Sequence, residues 1–203
     1  MSPIEYSSRM QFRPFAPDIE VRGHGVSFIT AGFRIVPSVG MRFLVKHGVL
    51  PAGAPLDVNA WYSQARWLAA FEDIAREVGP TVLFEIGRAM GEQVPTPPQM
   101  QDVRSALRFL DLGYHSYHRR GGRPMLDEAT GTMLEGIGHY GADEVPGKRE
   151  VVSVCANPYP CPFDHGLLTG LLGRFSGDVR VAHDDRQPCR QRGADSCTYR
   201  IRW

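Results

Sequence analysis

Apolar positions recur every three or four residues through the middle of the chain, and this spacing predicts helices. Ser38 through Val45 reads as a helix with Ser38 as its cap and Gly48 as its stop. A longer helix starts at a cap of Asp57 or Asn59 and places Trp61, Ala65, Leu68, Phe71, Ala75 and Val78 on one face. Gly79-Pro80 ends it and opens another, with Val82, Leu83, Ile86 and Met90 inward. After the break at Pro95–Pro98, a fourth helix is expected from Gln99 to about His118, its buried stripe marked by Val103, Leu107, Leu110 and Tyr114. Ahead of these, Val26, Phe28 and Ile29 read as a short strand.

Beyond Gly121-Gly122 the period changes. Thr132–Val145 is expected as a strand, turning at Pro146-Gly147 into the β-rich run Glu150–Ala156. Asp164–Phe175 is a short helix, Val179–His183 a strand, and Ser196–Trp203 a closing strand. The fold class is therefore α+β: N-terminal helices packed on a mainly antiparallel sheet with a C-terminal ββαββ unit. We read residues 1–203 as a single domain, with a mainly helical part over 1–125 and a metal-binding part over 126–203.

Composition narrows the function. The chain has 203 residues with 23 basic and 22 acidic side chains, a net charge of +1. That balance argues against a generally basic nucleic-acid binder, and no nucleic-acid partner is expected. No apolar run approaches the length of a membrane span, and Met1–Pro17 carries no secretory h-region, so a cytoplasmic protein without a membrane partner is expected.

All four cysteines, Cys155, Cys161, Cys189 and Cys197, fall after residue 154. Thiols crowded into one quarter of such a chain read as metal ligands, because strand ends and a hairpin tip can converge on a tetrahedral zinc. His183 and Asp184 are alternative ligands. Arg186, Arg190 and Arg192 flank Cys189 and would offset thiolate charge. Inert buried thiols, or disulfides, are the competing reading. A site closed by four protein ligands is structural.

The run from Gly138 to Trp203, about a third of the chain, resembles the 4-vinyl reductase domain family. That family lies in the wider superfamily holding heme-NO-binding domains and TRAPP-type trafficking subunits. The residues that carry the resemblance are Cys161-Pro-Phe-Asp-His-Gly166, Gly173-Arg-Phe175, and Cys189 through Cys197 with Thr198–Trp203. It implies a small-molecule-binding fold, often dimeric, used for sensing or as an accessory module. Similar sensor domains hold zinc with a cysteine before the helix, a C-x7-C pair and an acidic residue. Carried over, Cys161, Cys189 and Cys197 bind the ion; Arg186 stands where the acid belongs, so Cys155 is the expected fourth ligand, with Asp184, Asp185 or His183 behind it. No nucleotide-binding glycine loop supports reductase activity.

A second constellation is His115 and His118, at i and i+3 on the fourth helix, with His139 approaching from the sheet and Glu85 or Glu92 in support. These three imidazoles could hold a catalytic zinc or iron, but a solvated basic helix end is the favoured reading. Heme is less favoured: the heme-binding relatives carry Tyr-x-Ser-x-Arg, and Tyr6-Ser-Ser-Arg9 has another spacing. Trp61, Trp67, Phe71 and Tyr114 are candidates to line a pocket for a small apolar or aromatic ligand. The leading expectation is a sensor-like module with a structural zinc. The alternatives are a metalloenzyme built on the histidines and a scaffolding subunit without a ligand.

Overall fold

A computed structural model describes residues 11–33 and 36–203; Tyr6–Arg9 lies outside them. β1 (Ile19–Arg22) runs directly into α1 (Gly23–Ser27) and a 3-10 turn over Phe28–Phe33. The expected strand over Val26–Ile29 is therefore helical. Ser27 Oγ donates to the His24 carbonyl at 2.7 Å and Thr30 Oγ1 to that of Ser27 at 2.8 Å, and such local bonds favour tight turns over a sheet ladder. α2 (Pro37–Lys46) begins with proline at its first position rather than with a serine cap.

Trp61 belongs to β2 (Trp61–Ser63), and the long helix starts only afterwards as α3 (Gln64–Glu77). Its cap is Ser63, whose hydroxyl accepts the Arg66 N–H at 3.4 Å. Asp57 instead closes its own turn by accepting from Asn59 N at 2.8 Å. α4 (Pro80–Gln93) and α5 (Val103–Ser116) follow, the latter opened by a reciprocal Asp102–Ser105 capping box.

β3 (His118–Arg120) begins two residues after α5. Then come β4 (Arg123–Pro124), β5 (Leu126–Asp127) and β6 (Thr132–Met133). The single strand expected over Thr132–Val145 is split: positive φ at Gly136 and Gly138 breaks the ladder, and β7 (His139–Glu144) is separate. β8 (Glu150–Ala156), α6 (Cys161–Gly173), β9 (Arg180–His183) and β10 (Cys197–Arg202) complete the chain, with a 3-10 turn at Arg190–Arg192.

The strands form two antiparallel four-stranded sheets, ordered β2-β1-β3-β4 and β7-β8-β10-β9, and a small β5-β6 ladder. The fold is α+β, and the second sheet with α6 is the expected ββαββ unit. α4 and α6 cross through glycines. A Cβ at Gly87 would stand 2.0 Å from the Phe163 carbonyl oxygen, and one at Gly166 would stand 2.0 Å from that of Phe84. Gly91 and Gly170 repeat the arrangement one turn on, so the two backbones touch with no side-chain layer between them. Among the described residues no helix is long and apolar enough to cross a membrane.

Candidate functional site

The first site lies where β8, β9 and β10 end against the start of α6. Antiparallel register sets Cys197 across from Cys155 and Tyr199 across from both Ser153 and His183. Tyr199 Oη donates to the Cys161 carbonyl at 2.8 Å and so ties the first residue of α6 to the sheet. Cys161, His183, Cys189 and Cys197 then converge, one donor atom from each lying within 4.8 Å of all the others. The sulfurs of Cys161 and Cys189 are 3.5 Å apart, those of Cys189 and Cys197 3.8 Å, and those of Cys161 and Cys197 2.9 Å. A tetrahedral zinc with sulfur at 2.3 Å sets an edge of about 3.8 Å, so two of the three separations fit already and the third needs about 1 Å of opening. All four cysteines are free thiols.

His183 is fixed by Asp185, whose carboxylate accepts from Nδ1 at 2.8 Å, leaving a buried Nε2 that meets no nitrogen or oxygen partner among the described residues and sits by the Cys197 sulfur. A histidine whose second nitrogen is tied to a carboxylate is the usual arrangement of a metal ligand. Cys197 is held well below the usual thiol range, first by the Cys161 S–H and then by His183 and Arg190, against the opposing effect of burial. Cys161, the donor of that pair, is pushed up.

Cys155 stays outside the group. Its contact is with Ser153 Oγ at 3.9 Å. Burial, and then the nearby Asp164 charge, raise its thiol, which keeps it a protonated S–H instead of a thiolate. Asp184 is also engaged elsewhere: Arg200 at 2.8 Å and Arg186 at 3.2 Å lower its carboxyl to about 2.

Of the three arginines flanking Cys189, Arg190 faces the cluster. It is fully buried and donates from Nε to Cys197 Sγ at 3.4 Å. Its remaining nitrogens bond Asn157 and the buried carboxylate of Asp164, and Asp164 also accepts the Tyr140 hydroxyl at 2.6 Å. This Arg190–Asp164 pair was not singled out from the sequence, although Asp164 sits in the Cys-Pro-Phe-Asp run. Arg192 instead bonds the carbonyls of Asp185 and Gln187.

The histidines regroup. α5 ends at Ser116, so His118 opens β3 and no longer shares a helical face with His115. Asp111, one turn before His115, takes its place: Asp111, His115 and His139 offer donor atoms within 4.8 Å of one another. Glu85 and Glu92 both pair with Arg88 on α4 and lie outside this group.

His118 belongs to a half-open cavity of about 650 Å³ lined by α3–α6 and faces of both sheets. Its walls are mainly apolar, with Phe28, Met90, Leu110, Leu167 and Leu171 among them. His118 Nδ1 donates to the Tyr114 carbonyl at 2.7 Å, and Nε2 accepts from Tyr159 Oη at 2.7 Å. Burial lowers its pKa to about 4, so the ring is neutral. Tyr159 in turn accepts from Gln64 Nε2 at 3.1 Å. Trp67 lines the same space, and its buried indole N–H has no partner among the described residues.

Of the four aromatic pocket candidates, Trp67 and Tyr114 line the cavity. Phe71 packs behind Trp67 with ring centroids 4.8 Å apart. Trp61 lies elsewhere, under the guanidinium groups of Arg119 at 4.9 Å and Arg22 at 5.7 Å.

No family model matches the chain, nor does any curated protein. The resemblance to the 4-vinyl reductase family is thus unsupported, and the solved structures that superpose are H-NOX proteins. An H-NOX protein from S. oneidensis in the Fe(II) ligation state superposes with a TM-score of 0.59 at 18% identity, covering 88% of this chain and 94% of that one. A mutant of T. Tengcongensis H-NOX gives a TM-score of 0.57 at 17% identity, covering 89% and 96%. A structure described under protein-induced porphyrin distortion and heme redox potential gives 0.57 at 15%, covering 90% and 99%. At these identities the likeness is one of fold: the chain has an H-NOX-like fold.

Proposed function

We propose that this domain is a small-molecule sensor module whose ligand occupies the cavity between α3–α6 and the sheets. The observation that carries the reading is the cavity itself. About 650 Å³ with mainly apolar walls and a few convergent polar groups is the size and character of a ligand site. The Trp67 ring forms part of the wall, with the Tyr114, Tyr140 and Tyr159 rings beside it. The ligand class is accordingly a compact apolar or aromatic molecule. The H-NOX-like fold supports a sensing role.

Heme, which the neighbours' descriptions name, does not fit these residues. Among the described lining residues none is Lys or Arg, and Glu128 is the one charged group. Two propionates would find no cation among these described lining residues. The imidazole in the wall has both nitrogens engaged.

In the same reading, zinc is held by Cys161, His183, Cys189 and Cys197. Three sulfurs and an oriented imidazole suit that ion, and four protein ligands leave it a structural role. It would pin β9 and β10 to the start of α6.

The test uses phenol and 1-naphthol as probes of the full chain, read through quenching of Trp67 fluorescence. A Cβ at Gly113, which lines the cavity, meets nothing within 4 Å. Gly113→Leu should therefore fold, fill the space and weaken binding at least roughly tenfold, about 1.4 kcal/mol. No quenching in the parent protein, or unchanged affinity in Gly113→Leu, overturns the reading.

A further inference from the structure

We infer that Asp111, His115 and His139 form a second metal site, one that takes a divalent transition ion of the zinc or cobalt class with open coordination positions. The three side chains come from two elements, α5 and β7, and place one donor atom each within 4.8 Å of the other two. Two imidazoles and one carboxylate converging on a point are the donor set of three-ligand sites that leave room for water.

One nitrogen of each ring is tied down. His115 Nδ1 donates to the Asp111 carbonyl at 2.9 Å, and His139 Nε2 meets the Glu135 carboxylate at 3.1 Å. Those are the outer partners that orient ligating histidines. His115 is fully buried, and its Nε2 has no partner among the described residues. A bare ring nitrogen in that position costs free energy unless something fills it. Its ring lies 4.9 Å from that of His139, centroid to centroid.

The carboxylate is anchored too. Asp111 Oδ1 accepts the Tyr140 N–H at 2.9 Å, while Oδ2 faces His139 Nδ1 at 2.8 Å. On binding, the ion takes the place of the proton between Oδ2 and Nδ1, and that proton leaves to solvent. His139 is about one-third exposed, so an ion has a way in. Hard cations are disfavoured, because two of three donors are nitrogen. The ion would clamp α5 to β7 beside Tyr114 and Tyr140, which both line the cavity.

Cobalt(II) chloride is the probe, added to the full chain with its cysteine cluster already filled by zinc. One further cobalt should bind, with weak visible bands and no thiolate charge-transfer absorption. Its paramagnetism should shift the ring-proton resonances of His115 and His139 in the unmutated protein. His139→Ala should weaken that binding by at least roughly a hundredfold, and cobalt should raise the melting temperature of the parent but not of the variant. Failure to bind the further ion, shifts at other histidines only, or equal affinity in His139→Ala overturns the inference.

Discussion

The two metal-ligand clusters differ in the surroundings each provides. Around Cys161, Cys189 and Cys197 the protein excludes water, with relative exposures of 6%, 2% and 0%. It brings Arg190 to the sulfurs and draws its ligands from three elements and a turn. Around Asp111, His115 and His139 the carboxylate and one imidazole reach solvent. The first arrangement is closed and suits an ion that holds strands in place. The second is open and suits an ion that comes and goes. The lesson is that donor identity alone does not set the role; burial and the number of protein ligands do.

The largest expected effect separates the clusters by stability. Cys189→Ser should remove zinc and destabilise the fold on the order of 5 kcal/mol, since metal-binding free energy here is folding free energy. Cys155→Ala should keep its zinc and cost about 1–2 kcal/mol as a buried truncation. Metal analysis with urea unfolding of both variants reads the difference, and zinc loss in Cys155→Ala would reverse the ligand assignment.

Acid gives the next contrast, between the histidine outside the open cluster and one inside it. His118 has its pKa lowered from 6.5 to about 4 by burial, so the unfolded chain binds the extra proton in that window. Its contribution is present above pH 6.5 and is lost as pH falls toward 4, about 3 kcal/mol in full. His139 has its pKa raised, chiefly by the Asp111 hydrogen bond. Its contribution is complete below 6.5 and fades as pH rises through the folded value. His118→Gln should flatten the acid limb of stability against pH, and His139→Ala should flatten the neutral one. Identical limbs in both variants would break the contrast.

The smallest effect concerns Trp61, which lies away from the cavity. Trp61→Leu should cost up to about 1 kcal/mol from the lost Arg119 and Arg22 contacts and leave probe affinity unchanged.

The helices α2–α6 and the strands of the second sheet are legible in the hydrophobic period, and α3–α5 each bury one continuous stripe, whereas α1 reads as a strand and the short strands β1–β5 leave no period to read. The misses have local causes. The Trp61 ring fits the periodic face of α3, yet the cap that starts the helix is Ser63, and a three-residue strand leaves no alternation to read. Of the four clustered residues, Cys161, Cys189 and Cys197 come from the family resemblance, with His183 an alternative to Cys155; that His183 and not Cys155 joins the group depends on where β9 ends relative to β10, which is a matter of register. Likewise Asp111 entered in place of His118 because α5 stops two residues early. The Arg190–Asp164 pair joins residues 26 apart in sequence that only folding makes neighbours.

The crossing of α4 and α6 ties these regions mechanically. Where main chain rests on main chain, no compressible cushion remains, and the two rods are obliged to tilt as one lever. Its near end is Cys161; farther along, Leu167 and Leu171 on one rod and Met90 and Val94 on the other form adjoining walls of the chamber. Any tilt of those walls would therefore carry the sulfur clasp with it, through a linkage whose stiffness comes from four residues without side chains.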